Sequence, residues 1–374
     1  MKAVAVFPTL QQVGVVEREE PRLSRPDDVL VEIRDVGICG TDREICAFEY
    51  GDPPPGDDHL VIGHEALGRV VEVGSAVDQL RAGDLVVPTV RRPCPDPGCR
   101  ACRAGRQDYC YTGHFTERGI KEAHGFMAGR VVEQQENLVR VPTDLDDVAV
   151  LTEPLTIAEK ALAQVFWLMQ HRPPWLDPGA PAGERGHGLT ALVLGAGPVG
   201  ILGAMATTVA GFRTYLYSRE IPPTPRTDLV AALGATYLSS QVTAPAELTA
   251  EIGNVDLVYE AVGHSHFAFE VLQVLGQNGI YVLTGVPGVQ ALVESDPASL
   301  MRNMVLKNQL LLGTVNAGPE DFAAAVRDLE LFKQRWPHAT EQLIAGRYPP
   351  EQTPELVFAR TAGIKTVISF RDAV

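Results

Sequence analysis

The chain has 374 residues, 45% of them hydrophobic, and a formal net charge of −15. This length fits two globular domains, and the acidic balance excludes binding to nucleic acid or to an anionic membrane through a general basic field. No signal peptide and no uninterrupted apolar span is visible, so we expect a cytoplasmic protein whose cysteines stay reduced.

The N-terminal part, up to about residue 155, predicts antiparallel sheet. Its valine-rich runs are short and are bounded by Gly, Pro and Asp, which is typical of strands joined by turns. The runs are MKAVAVF, DVLVEIRDVGI, EALGRVVEVG and DLVVPTV.

Cys39 in GICGTD and His64 in GHEALG stand on glycine-flanked turns of this part. Thiolate and imidazole both suit zinc, and a catalytic zinc site needs a third ligand and an open position for substrate. Glu153 in LTEPLT is a candidate third ligand. Glu65, next to His64, could bind the metal directly, reach it through water, or orient the other ligands.

The stretch CPDPGCRACRAGRQDYC, residues 94–110, holds four of the chain's six cysteines. A disulfide knot, a redox site, a catalytic metal site and a structural metal site could each use such a cluster. A reducing compartment favours metal over disulfides, and four thiolates suffice for a closed tetrahedral zinc. We therefore predict a structural zinc site formed by Cys94, Cys99, Cys102 and Cys110.

Beyond a Pro- and Gly-rich linker at residues 171–188, the pattern changes at about residue 190. Apolar strand-like runs such as TALVLGAG, RTYLYS and VDLVYEAVG alternate with helix-like runs such as PVGILGAMATTVAG and HFAFEVLQVLGQ. This alternation predicts an α/β domain with a doubly wound parallel sheet. After about residue 314 the sequence becomes mixed and more polar, which indicates a return of the chain to the first domain.

The run VLGAGPVG places Gly195, Gly197 and Gly200 in G-x-G-x-x-G spacing, with Pro198 and Val199 between the last two. After a strand and before a helix, these glycines allow a tight turn, a close approach of the backbone to a pyrophosphate, and close packing of helix on strand. A strand-to-helix turn without a ligand is the alternative, and the surrounding strand–helix series favours the dinucleotide site.

The end of the next strand bears on the choice of cofactor. A carboxylate at this position would bind the ribose of NAD, but TYLYSRE offers Ser218 followed by Arg219. A small hydroxyl and an arginine suit the 2′-phosphate of NADP, which we therefore favour. Glu220 keeps NAD open, because a shift of two residues would restore the NAD pattern.

These motifs resemble those of the medium-chain zinc-dependent dehydrogenases. In GHEALGRVVEVGSAV, His64 is followed by Glu65, Gly68, Gly74 and Val77 at that family's spacing, and CGTD, the four-cysteine lobe and GAGPVG occur in its order. PTVRRP, GRQDYC, TERGIKEAHGFM, TEPLTIAEKA and GTVNAG are most similar to the archaeal-type glucose 1-dehydrogenases. The family's usual lobe spacing is C-x2-C-x2-C-x7-C; here PDPG widens the first gap, which leaves only the last three cysteines in register.

The resemblance implies a GroES-like catalytic domain at 1–156, a Rossmann domain at 157–313, and a return to the catalytic domain at 314–374. It implies a catalytic zinc held by Cys39, His64 and Glu153, with Glu65 able to enter the shell. It also implies that Glu117 contacts a sugar hydroxyl and that Asn316 lies near the sugar and the nicotinamide. Thr41 is implied to relay a proton. Thr41 could instead be an ordinary turn hydroxyl.

The implied reaction is oxidation of an aldose, β-D-glucose above all, at C1 to the lactone, with hydride transfer to NADP or NAD. Another aldose or a polyol is the alternative substrate, and a non-catalytic dinucleotide-binding sensor or structural relative is the alternative from another class. The family also implies a homo-oligomer, a dimer or a tetramer.

Overall fold

A computed structural model describes residues 1–288, 296–359 and 363–371. Residues 289–295, 360–362 and 372–374, which fall in the predicted Rossmann and C-terminal segments, lie outside the described residues. The chain divides into two compact units. Unit 1 comprises Met1–Thr156, Asn316–Lys333 and Thr340–Val374, and unit 2 comprises Ile157–Val315 and Gln334–Ala339.

The N-terminal part of unit 1 consists of strands and α-helices joined by turns. The strands are β1 (Lys2–Phe7), β2 (Gln12–Glu17), β3 (Asp28–Gly37), β4 (Leu60–Val61), β5 (Glu65–Val73), β6 (Leu85–Pro88), β7 (Arg91–Arg92), β8 (Thr116–Arg118), β9 (Glu122–Ala123), β10 (Arg130–Gln134) and β11 (Leu138–Val141). The helices are α1 (Gly40–Cys46), α2 (Arg100–Arg103) and α3 (Thr152–Met169), the last of which continues into unit 2.

Unit 2 is built on a six-stranded sheet in the order β14-β13-β12-β15-β16-β17, in which every pair is parallel. Its central strand β12 is buried along its whole length, as expected for a parallel strand covered on both faces. This sheet confirms the predicted α/β fold. The strands are β12 (Thr190–Leu194), β13 (Arg213–Ser218), β14 (Thr236–Ser239), β15 (Leu257–Glu260), β16 (Ile280–Leu283) and β17 (Leu310–Gly313); the helices are α4 (Pro198–Val209), α5 (Pro225–Ala232), α6 (Leu248–Ile252), α7 (Ser265–Leu272) and α8 (Pro297–Leu306).

The C-terminal part adds α9 (Pro319–Arg335), α10 (Pro337–Gln342), β18 (Ile344–Tyr348), α11 (Thr353–Leu356) and β19 (Lys365–Ser369). Strand β19 pairs antiparallel with β3 and parallel with β18. It thereby completes a seven-stranded sheet of unit 1 with the order β11-β6-β5-β3-β19-β18 and with β10 also on β3. The end of the chain thus contributes directly to the sheet that begins with β3.

Two smaller sheets of unit 1 have the orders β2-β1-β4 and β7-β8-β9. Within the described residues, no helix combines the length and the apolar character that crossing a bilayer requires.

Candidate active site

Cys39, His64 and Glu65 form one group in unit 1, because their ligand atoms lie within 4.8 Å of one another. Cys39 directly precedes α1, and Glu65 begins β5 opposite Gly37 of β3. A Cβ atom at Gly37 would lie 2.1 Å from Glu65 Oε2. The glycine therefore leaves the space that the carboxylate occupies.

Asp42, which was not predicted from the sequence, organises this group. Its Oδ2 accepts a hydrogen bond from the backbone N–H of Cys39 at 2.8 Å, and its Oδ1 accepts one from Gly63 at 3.2 Å. Oδ1 also lies 3.7 Å from His64 Nδ1. Asp42 thus fixes the backbone beside two candidate ligands and faces the imidazole, as carboxylates do around metal-bound histidines. An acidic residue three positions after Cys39, at a helix start, was the available signal.

Lys365 of β19 is a second residue of this site that was not predicted from the sequence. Its Nζ lies 2.7 Å from Glu65 Oε1 and 2.5 Å from Glu65 Oε2, and it donates to the carbonyl of Ile38 at 3.2 Å. Burial alone would lower the pKa of Lys365, but the charges of Glu65 and Cys39 raise it. The lysine therefore stays charged and fixes the Glu65 carboxylate. No local motif marks it, because its place depends on the pairing of β19 with β3.

The electrostatics of the group fit a divalent cation. Burial raises the pKa of Asp42; burial, opposed by His64 and assisted by Glu65, raises that of Glu153 to about 7. Burial also favours the neutral His64, but Asp42 and Cys39 more than offset this and raise its pKa. Its Nδ1 is buried without a hydrogen-bond partner in the described part of the chain. Crowded acidic groups together with a thiol, an imidazole and a carboxylate are a donor set that suits zinc.

Glu153 and Thr41 stand in different relations to this group. The Glu153 carboxylate is not within 4.8 Å of all three ligand atoms, although the charges of His64 and Glu65 act on it. Thr41 Oγ1 lies 4.0 Å from Cys39 Sγ. The structure therefore brings Thr41 next to the thiol and leaves Glu153 outside the compact group.

Glu117 and Asn316 meet in unit 1. Asn316 Nδ2 donates to Glu117 Oε1 at 2.9 Å. The Asn316 backbone has φ +58°, a left-handed conformation that asparagine tolerates, and its Oδ1 accepts from the N–H of Ala317 at 2.8 Å. Arg91, which was not predicted from the sequence, donates to the same Glu117 oxygen from Nε at 3.1 Å and from Nη2 at 3.0 Å. The structure thus joins two residues that lie far apart in the sequence.

The four cysteines of the lobe at residues 94–110 also form one group, with their sulfurs within 4.8 Å of one another. All are free thiols. Burial opposes ionisation of Cys110, but hydrogen bonds from Thr112 lower its pKa to about 6; burial raises the pKa of Cys102 to about 12. Thiols this close cannot all ionise without a cation, so a metal ion fits. The wider first gap does not separate Cys94 from the group, and its N–H donates to Cys102 Sγ at 3.4 Å.

The glycine-rich turn lies in unit 2, between β12 and α4. Gly195 has φ +97°, which only glycine adopts readily. A Cβ atom at Gly200 would lie 2.0 Å from the carbonyl oxygen of Gly195, whereas one at Gly197 would meet nothing within 4 Å. Gly197 caps α4, whose first turn contains Pro198 and Val199. The turn thus offers open space at a helix N-terminus, where phosphate groups bind.

Ser218 ends β13, and the exposed Arg219 follows it. Glu220 points to other partners: its Oε1 lies 2.8 Å from Arg226 Nη1, and its Oε2 accepts from Thr224 Oγ1 at 2.7 Å. Within the described residues, Arg219 has no ion pair. The carboxylate that kept NAD open is therefore already engaged, and the arginine is available.

Two family models match the chain. Alcohol dehydrogenase GroES-like domain covers residues 25–143, and Glucose dehydrogenase C-terminus covers residues 146–370. Together they account for both units and confirm the GroES-like resemblance predicted from the motifs.

Similar proteins match over nearly the full length. Glucose 1-dehydrogenase of Methanocella arvoryzae is 35% identical over 98% of this chain and 99% of its own, and Glucose 1-dehydrogenase 2 of Vulcanisaeta moutnovskia is 37% identical over the same shares. The solved structure of Haloferax mediterranei glucose dehydrogenase in complex with NADP, Zn and gluconolactone has a TM-score of 0.86 and 32% identity and covers 99% of both chains.

Proposed function

Because the chain belongs to the medium-chain zinc-dependent dehydrogenases, we infer that it is a glucose 1-dehydrogenase that oxidises β-D-glucose at C1 to gluconolactone with NADP as hydride acceptor. The observation that carries this inference is that unit 1 holds both a Cys–His–Glu group suited to zinc and a buried glutamate, Glu117, paired with Asn316.

Cys39, His64 and Glu65 would hold the catalytic zinc, with Glu153 as a further carboxylate that joins directly or through water. When bound, zinc supplies a Lewis acid that lowers the pKa of a hydroxyl group. The Thr41 hydroxyl, beside the Cys39 sulfur, accepts the proton of the C1 hydroxyl while it donates its own proton through the cofactor ribose towards solvent, so that it stays neutral.

Glu117 accepts a hydrogen bond from a sugar hydroxyl. Asn316, which is bonded to Glu117, lies near the sugar and the nicotinamide. A buried acceptor that a wrong sugar leaves unpaired discriminates well between epimers. Glucose is therefore favoured over aldoses or polyols that lack a hydroxyl group at this position.

The turn formed by Gly195, Gly197, Pro198, Val199 and Gly200 binds the pyrophosphate of the cofactor. Ser218 and Arg219 bind its 2′-phosphate. Arg226 and Thr224 engage Glu220, so its carboxylate is not available to bind the ribose and repels the 2′-phosphate less. NADP is therefore preferred, and NAD remains usable.

The four lobe cysteines hold a structural zinc, which fixes a loop and takes no part in the chemistry. The compartment is a reducing cytoplasm, where free thiols stay available to zinc. The chain forms a homo-oligomer through unit 2. Apolar side chains are exposed there on α8 and on the edge strand β17, as at many interaction surfaces, namely Met301 at 69%, Val305 at 70%, Leu306 at 62% and Leu311 at 41% exposure.

The test is reduction of NADP by the zinc-loaded protein with a panel of aldoses and polyols. We expect turnover with glucose, loss of turnover after chelation, and loss of both turnover and catalytic zinc in Cys39→Ser with the fold retained. Absence of activity on every sugar and polyol in the zinc-loaded protein would contradict the proposal and favour a non-catalytic relative.

A further inference from the structure

Arg91 stands directly opposite Glu117 in the antiparallel pair of β7 and β8. Both side chains are buried, with 8% and 9% of their surface exposed. A buried guanidinium and carboxylate in contact hold each other strongly, because separating them would leave an uncompensated charge. Arg91 therefore sets the orientation of the Glu117 carboxylate.

The guanidinium uses one oxygen of Glu117 rather than both. Oε1 accepts from Arg91 Nε and Nη2 and from Asn316 Nδ2, at 3.1, 3.0 and 2.9 Å. Within the described residues, no donor reaches Oε2. Arginine–carboxylate pairs are frequently fork-to-fork, with both oxygens engaged, whereas both guanidinium contacts here go to Oε1. This arrangement saturates one oxygen and leaves the other as an acceptor.

Arg91 is itself held in place by other contacts. Its Nη1 donates to the carbonyl of Asp108 at 3.2 Å, and its own carbonyl accepts from Gln107 Nε2 at 3.3 Å. The guanidinium carbon lies 3.7 Å from the centroid of the Phe115 ring. Because the Asp108 and Phe115 contacts fix the guanidinium plane, Glu117 cannot turn its carboxylate without losing its hydrogen bonds to Arg91.

We propose that Arg91 is the positioning residue for sugar recognition: it occupies Oε1 of Glu117 and so presents Oε2 to a substrate hydroxyl group. This inference rests on the proposed function, since it takes Glu117 as the sugar contact. Within the described residues, the Arg91 side chain contacts Glu117, Asp108 and Phe115 and none of the three candidate zinc ligands. Its loss should therefore weaken sugar binding and spare zinc and cofactor.

The experiment compares Arg91→Met and Arg91→Lys in the full-length, zinc-loaded protein. We expect Arg91→Met to raise the glucose KM and the dissociation constant for gluconolactone about tenfold or more, the scale of a lost charge-assisted hydrogen bond. The NADP dissociation constant, measured by fluorescence, and the zinc content should stay unchanged. Arg91→Lys keeps the charge without the fork and should give an intermediate loss; it carries the test if Arg91→Met does not fold.

Arg92, the next residue of β7, provides the matched control. It forms a similar ion pair with Glu133 at 2.8 Å, with 15% and 5% of the two side chains exposed. Arg92→Met should lower the unfolding temperature as Arg91→Met does, but leave the glucose KM as it was. A general weakening of the strand would raise the KM in both variants and would overturn the proposal.

A double variant distinguishes the positioning role of Arg91 from the proposed sugar contact of Glu117. If Arg91 acts through Glu117, adding Arg91→Met to Glu117→Gln should raise the glucose KM little further. A rise in KM with Glu117→Gln but none with Arg91→Met would overturn the positioning role alone. Unchanged KM with Glu117→Gln would remove Glu117 from the sugar site and the positioning role with it, whatever zinc and NADP do.

Discussion

Lys365 is the residue whose charge balances the buried Glu65 carboxylate beside the metal group. Both side chains are almost fully buried, at 2% and 1% exposure. Breaking a buried pair by removing one partner costs about 3–5 kcal/mol, because the other charge stays uncompensated. A zinc ion held by the same carboxylate would supply part of that compensation.

We therefore expect Lys365→Met to lower the stability of the chelated protein by about 3–5 kcal/mol and that of the zinc-loaded protein by less. Thermal unfolding with and without chelator measures the difference. Lys2→Met is the control, because its pair with the Glu351 carboxylate is exposed and exposed ion pairs contribute little to stability. Equal losses in the loaded and chelated forms of Lys365→Met would show that Glu65 does not share its charge with a metal.

At the scale of elements, two glycines of the turn between β12 and α4 should differ in what an added methyl group does. A Cβ atom at Gly197 meets open space, and its backbone at φ −80° accepts alanine. A Cβ atom at Gly200 collides with the Gly195 carbonyl. A substitution at Gly197 should therefore affect only ligand binding, and one at Gly200 should also affect the conformation of the turn.

Gly197→Ala should keep the unfolding temperature of the cofactor-free protein and raise the NADP dissociation constant more than about tenfold, because the new methyl group takes space that the pyrophosphate needs. Gly200→Ala should lower both stability and binding. Gly14→Ala, in β2 and with nothing near its Cβ, is the control that should change neither. Unaltered NADP binding by Gly197→Ala would place the pyrophosphate elsewhere.

The same element shows what sequence could supply. The glycines at this turn act on one another across five residues, so their spacing, together with the neighbouring strand and helix patterns, predicted the turn. The lobe cysteines were predictable because they too lie close together along the chain. Cys39 and His64 were found because each lies on a recognisable turn. Local pattern is sufficient where the groups that cooperate are close along the chain.

Lys365 and Arg91 escaped prediction for a physical reason. Lys365 meets Glu65 only because β19 pairs with β3, and Arg91 meets Glu117 only because β7 pairs with β8. Strand pairing over long separations leaves no local trace in sequence, and an isolated lysine or arginine is most often a solvated surface group. Asp42 was within reach, since it stands in the CGTD motif that carries Cys39.

At the scale of the whole molecule, the two cysteine-containing groups of the described residues both lie in unit 1, and the glycine-rich turn lies in unit 2. The two groups differ in the number of thiols and in whether a coordination position stays open for substrate. The lobe offers four sulfurs, whereas the group of Cys39, His64 and Glu65 offers one sulfur and needs an open position to act on a substrate. Zinc in the lobe should therefore leave more slowly.

The purified protein should contain about two zinc ions per chain and release them to a chelator in two kinetic phases, followed by the absorbance of a zinc-binding dye. Activity should disappear with the fast phase, and the slow phase should accompany a loss of stability in unit 1. Cys39→Ser should abolish the fast phase only, and Cys102→Ser the slow phase only. If either variant removed both phases, the two metal groups would depend on each other, and the assignment of one to chemistry and the other to structure would be wrong.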